Sequence, residues 1–506
     1  MSASRRSQPS PASRGQTVLR RATLSLAVGL GLSLHATQAT AADLLDIYAL
    51  AEQNDQQLRA AEQQRLSIEQ NIPIERADLL PQVGAGAGVQ FDRTDTTIGE
   101  IPGADSTDGF GGNIALTLEQ SIFNRTDQLE LGRAELQVHQ ADIDYVQARQ
   151  DLILRTGQAY FQVLNADAQL QLAQANRAAL KRQLERAQRQ YEVGLVAVTD
   201  VADAQSEYDQ ANAQIITARN ELNNALAALE TIIGQPVTDL DDIRTNLDVA
   251  LPEPADPEQW IELALAQNLG LQSAAVGTQI AQQAVDINRS ARMPTVGLNA
   301  QYGFDNSYTG GGMTRQDRRG SLNGSVGVQV EMPIYTGGRI NSRSRQAAFD
   351  YQRSQFDLNG QRRQVRQQTS DSYRGVETSI SQITAFRQAV ESARTSLVAT
   401  EAGYGVGTRT IVDVLNAELR VFEAMANYLD ARYSYITNLL QLKADTGQLT
   451  VADLEEINRQ LTEQETNALI APLMGRDRDD ERGSVTDTDM MQRVLERARR
   501  TVDEEE

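Results

Sequence analysis

Cysteine is absent from the 506 residues of this chain. Its absence excludes disulfides, thiolate metal sites and lipid attachment to an N-terminal cysteine. Positive charge is scarce as well, because lysine occurs only at Lys181 and Lys443 and the acidic residues outnumber lysine and arginine by 68 to 47. A formal net charge of −21 argues against nucleic acid as a partner.

Long apolar runs are also missing, because no segment after Leu34 approaches the roughly 18 apolar residues of a transmembrane helix. The apolar run from Ala22 to Leu34 follows a stretch with five arginines and no acid, and it precedes the small residues Ala39-Thr40-Ala41. This order predicts a signal peptide over residues 1–41 and export of the rest of the chain. Any crossing of a membrane is therefore expected to use β-strands.

Catalytic motifs are absent too: the sequence contains no G-x-S-x-G, no H-E-x-x-H and no P-loop, and its two histidines are His35 and His139. The glycine-rich run from Gly84 to Gly88 is followed by an alternating strand pattern rather than by a helix, so a nucleotide-binding loop is not expected there. The sequence therefore predicts a protein that is not an enzyme and has no cofactor or catalytic metal.

An internal duplication is the strongest positive signal. Residues from about Ile47 to Gln235 recur from about Ile261 to Gln448 at an offset of about 213. The matches include the prolines and glycines that interrupt helices and strands. Pro81-Gln82-Val83-Gly84 corresponds to Pro294-Thr295-Val296-Gly297, and Tyr191-Glu192-Val193-Gly194 corresponds to Tyr404-Gly405-Val406-Gly407. A repeat of this length is a duplicated half-molecule, so paired elements are expected to surround a pseudo-symmetry axis, as in a tube.

Each repeat has the same predicted order of elements. The first repeat, residues 42–255, is expected to contain a helix from Leu44 to about Asn71, a β-hairpin over 81–121 and a long helical hairpin over 127–233. The second, residues 256–461, repeats this with a helix from Trp260 to about Arg289, a β-hairpin over 294–335 and a helical hairpin over 340–446. Residues 462–506 are predicted to be a charged, disordered tail.

The predicted strands are apolar at every second position over about ten residues, which is the length of a tilted membrane-spanning strand. Polar loops are expected between them, over Arg93 to Gly111 and Asp305 to Leu322. Four strands cannot close a membrane barrel, because the smallest barrels need about eight, and open strand edges are costly in lipid. The chain is therefore expected to oligomerise.

These features together resemble the TolC family of outer-membrane channel proteins. The resemblance is carried by the segments around the helix breaks and the strand-to-helix junctions, Val193–Val201, Tyr404–Leu415, Ser121-Ile122-Phe123 and Pro333–Gly338, and it extends to about Leu461. It implies a mixed α and β membrane protein: a homotrimer with a twelve-stranded β-barrel, four strands per chain, continued by a long periplasmic α-helical barrel. It also implies outer-membrane lipid, a periplasmic adaptor and an inner-membrane pump as partners, for efflux or type I secretion.

The resemblance also implies a gate at the periplasmic end of the helices. Arg409 is expected to bond Thr199 and Asp200 of a neighbouring chain, and Tyr404 is expected to bond Asp200 of its own chain. A further link would join Gln183 to Glu401. The hairpin tips would contact the adaptor through Gly194, Leu195, Gly407 and Thr408.

Asp413 would line the constriction of this gate, but the chain departs from the family one helical turn later. Asn416 stands where the family has a second acid, whereas the first repeat carries Asp203 at the equivalent place. The constriction is therefore expected to be less negative than in the family. Residues alone leave two alternatives open: Asp200 and Asp413 as simple helix caps, and the whole chain as a trimeric helical stalk or adhesin with a β anchor and no transport role.

Overall fold

The structure, a computed structural model, describes residues 42–98, 101–237, 240–244, 247–310, 317–462 and 470. The predicted signal peptide, residues 1–41, lies outside the described residues, as does most of the predicted tail. The tail prediction begins too early, because Thr462 pairs with Asp242 in a strand and Ile470 is fully buried in the main apolar core.

The opening helix of each repeat is broken, so the predicted single helices are wrong. The first repeat begins with α1 (Leu44–Asn54), α2 (Gln56–Glu69) and α3 (Asn71–Ala77). The second repeat has α6 (Pro257–Gln267) and α7 (Leu269–Ser290) at the same place.

The breaks occur at Asp55 and at Asn268, which are equivalent positions of the two repeats. Asp55 accepts a hydrogen bond from the Leu58 N–H at 2.7 Å, and Asn268 accepts one from the Leu271 N–H at 2.9 Å. Both side chains therefore cap a new helix, because a short polar side chain competes with the helical backbone for its donors.

Four long helices form two hairpins. In the first repeat α4 (Arg125–Glu192) contains 68 residues and packs along α5 (Val198–Ile233). In the second repeat α8 (Arg339–Gly405) contains 67 residues and packs along α9 (Ile411–Asp445). At 1.5 Å per residue the longer helices each extend for roughly 100 Å. No helix among the described residues combines the length and apolarity needed to cross a membrane.

The strands form one antiparallel sheet in the order β1 (Gln82–Ile98), β2 (Ile101–Phe123), β4 (Thr295–Gly310) and β5 (Asp317–Glu331). They are longer than predicted, and the predicted loops are largely strand: Arg93 pairs with Asp108, and Asp305 pairs with Ser321. A backbone ladder needs no apolar side chains, so pairing continues past the point where the alternating pattern ends. The second hairpin also ends earlier than predicted, because β5 stops at Glu331.

A small sheet and a short helix lie outside the predicted elements. Strand β3 (Asp242–Ile243) pairs with β6 (Leu461–Thr462), which follows α10 (Val451–Asn458). They join the link between the repeats to the end of the second repeat. The main apolar core includes side chains from α1, α2, α4, α5, α6, α8, α9 and α10. Its largest fully buried members include Tyr160, Phe161, Leu44 and Ile47.

Glycines with positive φ end the long helices at equivalent positions, at Gly194 and Gly407 and again at Gly234 and Gly447. Their surroundings differ. Gly194 and Gly447 share a φ of 75°, but nothing lies within 4 Å of a Cβ placed on Gly194, whereas the same atom on Gly447 overlaps the Gln267 carbonyl oxygen. Of these two glycines, only Gly447 is therefore required for close packing as well as for its backbone conformation.

This difference predicts unequal costs for the same substitution. Gly194→Ala is expected to lower stability by about 1 to 2 kcal/mol through backbone strain. Gly447→Ala is expected to lose about 1 to 3 kcal/mol more, because the methyl group overpacks against the α6–α7 break. Urea unfolding followed by circular dichroism compares the two variants directly, and equal losses would contradict the packing role of Gly447.

Candidate functional site

Both hairpin tips close with the same backbone motif. The Gly194 and Leu195 N–H groups donate to the Tyr191 and Gln190 carbonyls, both at 2.9 Å. In the second repeat the Gly407 and Thr408 N–H groups donate to the Tyr404 and Gly403 carbonyls at 3.0 and 2.9 Å. This pair of bonds around a left-handed glycine is a Schellman motif, which satisfies the last carbonyls of the helix before the chain reverses.

The returning helices begin differently in the two repeats. Thr410 and Asp413 form a capping box at the start of α9: the Asp413 carboxylate accepts the Thr410 N–H at 2.8 Å, and the Thr410 hydroxyl accepts the Asp413 N–H at 3.2 Å. The Thr410 N–H and hydroxyl hold the pKa of Asp413 below its ordinary value. Helix α5 has Ala197 at its cap position and no such side-chain bond, and Asp200 lies in its first turn.

Asp413 therefore does have the capping role that the sequence left open. Whether Asp413 also lines a pore constriction stays a prediction. The same holds for Asn416, which is exposed on the next helical turn.

Tyr404 binds within its own chain, but not to the predicted residue. Its hydroxyl donates to Gln190 Oε1 at 2.6 Å, so the predicted bond to Asp200 is wrong for this conformation. Burial raises the pKa of Tyr404 most, and the nearby Asp200 carboxylate raises it further. Gln190 lies on the last turns of α4, within reach of the end of α8, whereas Asp200 lies on α5. The bond therefore joins the two hairpins of one chain near their tips.

Gln183 is buried and hydrogen-bonds the Glu418 carboxyl group within the chain. The predicted link from Gln183 to Glu401 stays a prediction. Glu401 is nevertheless close, because its charge is the second cause, after burial, that raises the pKa of Glu418 to about 7. Sequence reasoning missed Glu418. A signal was present: Glu418 occupies the apolar face of α9 at helical spacing from Ile411, Val414, Leu415 and Phe422.

Arg409 and Thr199 are exposed at the tip, where the predicted contact would join one chain to its neighbour. That contact stays a prediction. Among the described residues, no group of three or more histidine, aspartate or glutamate side chains is arranged to hold a metal ion. The tip is thus a set of helix ends, exposed polar groups and buried hydrogen bonds between hairpins.

Comparison with known proteins decides the family. The model of the family described as "Outer membrane efflux protein" matches the chain twice, over residues 47–235 and 260–448. The chain belongs to this family. The two matched ranges coincide with the two copies of the repeat in the sequence.

Relatives in the TolC branch of the family are similar over nearly their whole length. Outer membrane protein TolC of Vibrio cholerae is 35% identical over 440 residues, covering 86% of this chain and 97% of the relative. The alkaline protease secretion protein AprF of Pseudomonas aeruginosa is 31% identical over 446 residues, covering 87% and 92%. The fold is shared with the CmeC outer membrane channel of Campylobacter jejuni, with a TM-score of 0.69 at 17% identity over 83% of this chain and 90% of that chain.

Membership of the outer membrane efflux protein family confirms the predicted location in the outer membrane and the predicted function as an export channel. Proteins of this family are transport conduits rather than enzymes, as the sequence predicts. It also rejects the alternative of a stalk or adhesin without a transport role.

Proposed function

We propose that three copies of this chain form one exit duct, with a twelve-stranded barrel in the outer membrane and a gate at the helical tips. The observation that carries the proposal is the four-stranded sheet, in which β1 and β5 each pair on one side only. Unpaired backbone edges cost several kcal/mol for each group left in lipid, so each edge needs another chain. Three chains supply twelve strands, whereas two would give a barrel of eight, with its interior filled by side chains.

The helices support the same assembly. Besides the packing of each long hairpin, a row of contacts runs from α2 and α3 to α4, from α4 to α7 and from α7 to α8. Helix α8 is the last member of this row, as β5 is the last strand of the sheet. Phe349 and Phe356 on α8 are 69% and 74% exposed, and Ile74 on α3 at the opposite end is 60% exposed. Phe349 and Phe356 are seven residues apart on one helical face, which is the spacing of a helix-packing seam. A neighbouring chain would cover both ends of the row.

The oligomer is predicted to be a trimer. Native mass spectrometry of detergent-purified protein is expected to give three times the chain mass, because a ring of three pairs all strand edges around an open lumen, whereas a ring of two leaves the barrel interior filled by side chains. A stable dimer or tetramer as the main species would contradict this arrangement.

The proposed gate combines two kinds of contact. Tyr404 and Gln190 join α8 to α4 within each chain, and the exposed Arg409 would bond Thr199 and Asp200 of the next chain. Together they hold the tips of the α8–α9 hairpins against the α4–α5 hairpins and close the entrance. Opening then requires both kinds of contact to break.

Removal of the Arg409 contact is predicted to open the channel. An exposed polar link contributes about 0 to 1 kcal/mol, so three copies stabilise the closed state by up to roughly 3 kcal/mol, or about a hundredfold in the closed-to-open ratio. Arg409→Ser is expected to raise single-channel conductance in planar bilayers, and adding Tyr404→Phe is expected to raise it further.

Arg374→Ser is the matched control, since it removes an exposed arginine of α8 that pairs with Asp371 away from the tip. It is expected to leave conductance unchanged. Wild-type conductance in the Arg409→Ser, Tyr404→Phe double variant, with an intact trimer, would place the closure elsewhere.

Block of the channel by multivalent cations is predicted to depend on the charge of the constriction, where Asn416 replaces the second acid of the family. Three Asp413 carboxylates around a narrow axis would attract a multivalent cation, and Asn416 supplies no second ring of charge. Asn416→Asp is expected to tighten block by hexa-ammine cobalt in single-channel recordings, and Asp413→Asn is expected to abolish it. Equal block in wild type and Asp413→Asn would leave Asp413 with its capping role alone.

The duct is proposed to work with a periplasmic adaptor and an inner-membrane pump. Exposed apolar side chains at the tips support adaptor docking there, because Val193, Leu195 and Val406 are 69%, 74% and 77% exposed. Either efflux or type I secretion fits, since the pump rather than the shared duct selects the cargo.

A further inference from the structure

Glu418 is a buried acid that the gate contacts proposed above do not use. Only 8% of its surface is exposed, and its neighbours at helical spacing on α9, Val414, Leu415 and Phe422, are buried apolar residues. Burial raises its pKa to about 7, because the apolar surroundings disfavour the charged carboxylate. The side chain therefore changes charge near neutral pH, well above the ordinary 4.5 of a glutamate.

Charged and polar groups from two other helices face this carboxyl group. Arg182 and Arg186 on α4 favour the charged form, whereas Glu401 on α8 disfavours it. Gln183 on α4 hydrogen-bonds the carboxyl group. Helix α5 contributes to the adjoining apolar cluster with Val201, Ala204 and Tyr208. The carboxyl group thus lies where α9 meets α4, at the boundary between the two hairpins.

Two buried acceptor atoms have no hydrogen-bond partner among the described residues at this point, Gln183 Oε1 and Glu418 Oε2. The bond from Gln183 favours the ionised acid, so its amide N–H is the donor and its Oε1 remains an acceptor. An ionised carboxylate can only accept. A proton on the carboxyl group adds the one O–H donor that this pair lacks, and it also removes the buried charge.

We propose that Glu418 is a proton-dependent latch between α9 and α4, whose neutral form holds the helices together at the tip and whose ionisation favours their separation. Separation would expose the carboxylate to water and release its burial cost. The effect on transport rests on the proposed gate, because parting α9 from α4 moves one hairpin away from the other.

The direction with pH follows from the raised pKa. The contribution of neutral Glu418 to packing is fully present below pH 4.5 and is lost as pH rises through about 7. Between these values the ratio of packed to separated helices falls by at most about tenfold per pH unit in each chain. The tip is thus expected to close most firmly in mild acid and to loosen as the pH rises towards about 7.

Two measurements on the full-length trimer test the latch. Infrared spectroscopy follows the carboxyl band that Glu418→Gln removes, and this band is expected to disappear with a midpoint near pH 7. Planar-bilayer recording between pH 4.5 and 8.5 is expected to show opening that increases up to about pH 7 and levels off above it. Glu418→Gln keeps the shape of the side chain and is expected to abolish this step with the channel closed.

Two features of the chain make this comparison sharp. Glutamine is the residue at the equivalent position of the first repeat, Gln205, so the variant is compatible with a tip helix. Glu423→Gln removes an exposed acid from the same helix and is expected to retain the wild-type step.

The outcomes separate the latch from the gate. A carboxyl band that titrates near pH 4.5, or a pH step of wild-type size in Glu418→Gln, overturns the latch. Wild-type conductance at every pH in the Arg409→Ser, Tyr404→Phe double variant, with an intact trimer, overturns the gate. In that case two results together still support the latch. The carboxyl band has its midpoint near pH 7, and the backbone hydrogens of α9 exchange faster above that pH in the wild type but not in Glu418→Gln.

Discussion

Unpaired backbone at the two edges of a four-stranded sheet is the constraint from which the proposed assembly follows. Hydrogen bonds that water supplies to an exposed strand are missing in lipid, so β1 and β5 have to meet other strands. The helices also have an unpaired surface, because the aromatic side chains Phe349 and Phe356 on α8, the last helix of the row, are exposed to solvent. One neighbour on each side solves both problems, and a closed ring satisfies every chain equally.

Duplication explains why the same local structures occur twice, and the two copies differ at the residues of the proposed gate. Asp55 and Asn268 both cap a helix, and Gly194 and Gly407 both end one. The copies diverge on the returning helices, where α9 has a capping box and a buried Glu418 while α5 has Ala197 and Gln205. A passive scaffold needs no such difference. The proposed gate does, because one hairpin must move relative to the other.

Much of the fold follows from sequence patterns. Absence of proline and scarcity of glycine predict the long helices, and alternation predicts the strand pairs. The ends of helices and strands could not be predicted as well. The helix break at Asp55 involves a side-chain hydrogen bond to the Leu58 N–H, and the extension of the strand past Arg93 depends on backbone pairing that composition does not reveal. At the site, resemblance named Tyr404 and Gln183 but not their partners Gln190 and Glu418. Such pairs depend on how α4 lies against α8 and α9, which is a tertiary property.

Closure of the ring at three chains is the central claim, and cross-linking across the sheet edges tests it most directly. The chain has no native cysteine, so one cysteine can replace Val89 on β1 while a second is scanned along residues 322–330 of β5. Where the two edges meet, oxidation is predicted to join each chain to the next and to give a ladder that stops at three chains in a denaturing gel. A ladder that stops at two or continues to four, or cross-links at no position along β5, would contradict the account.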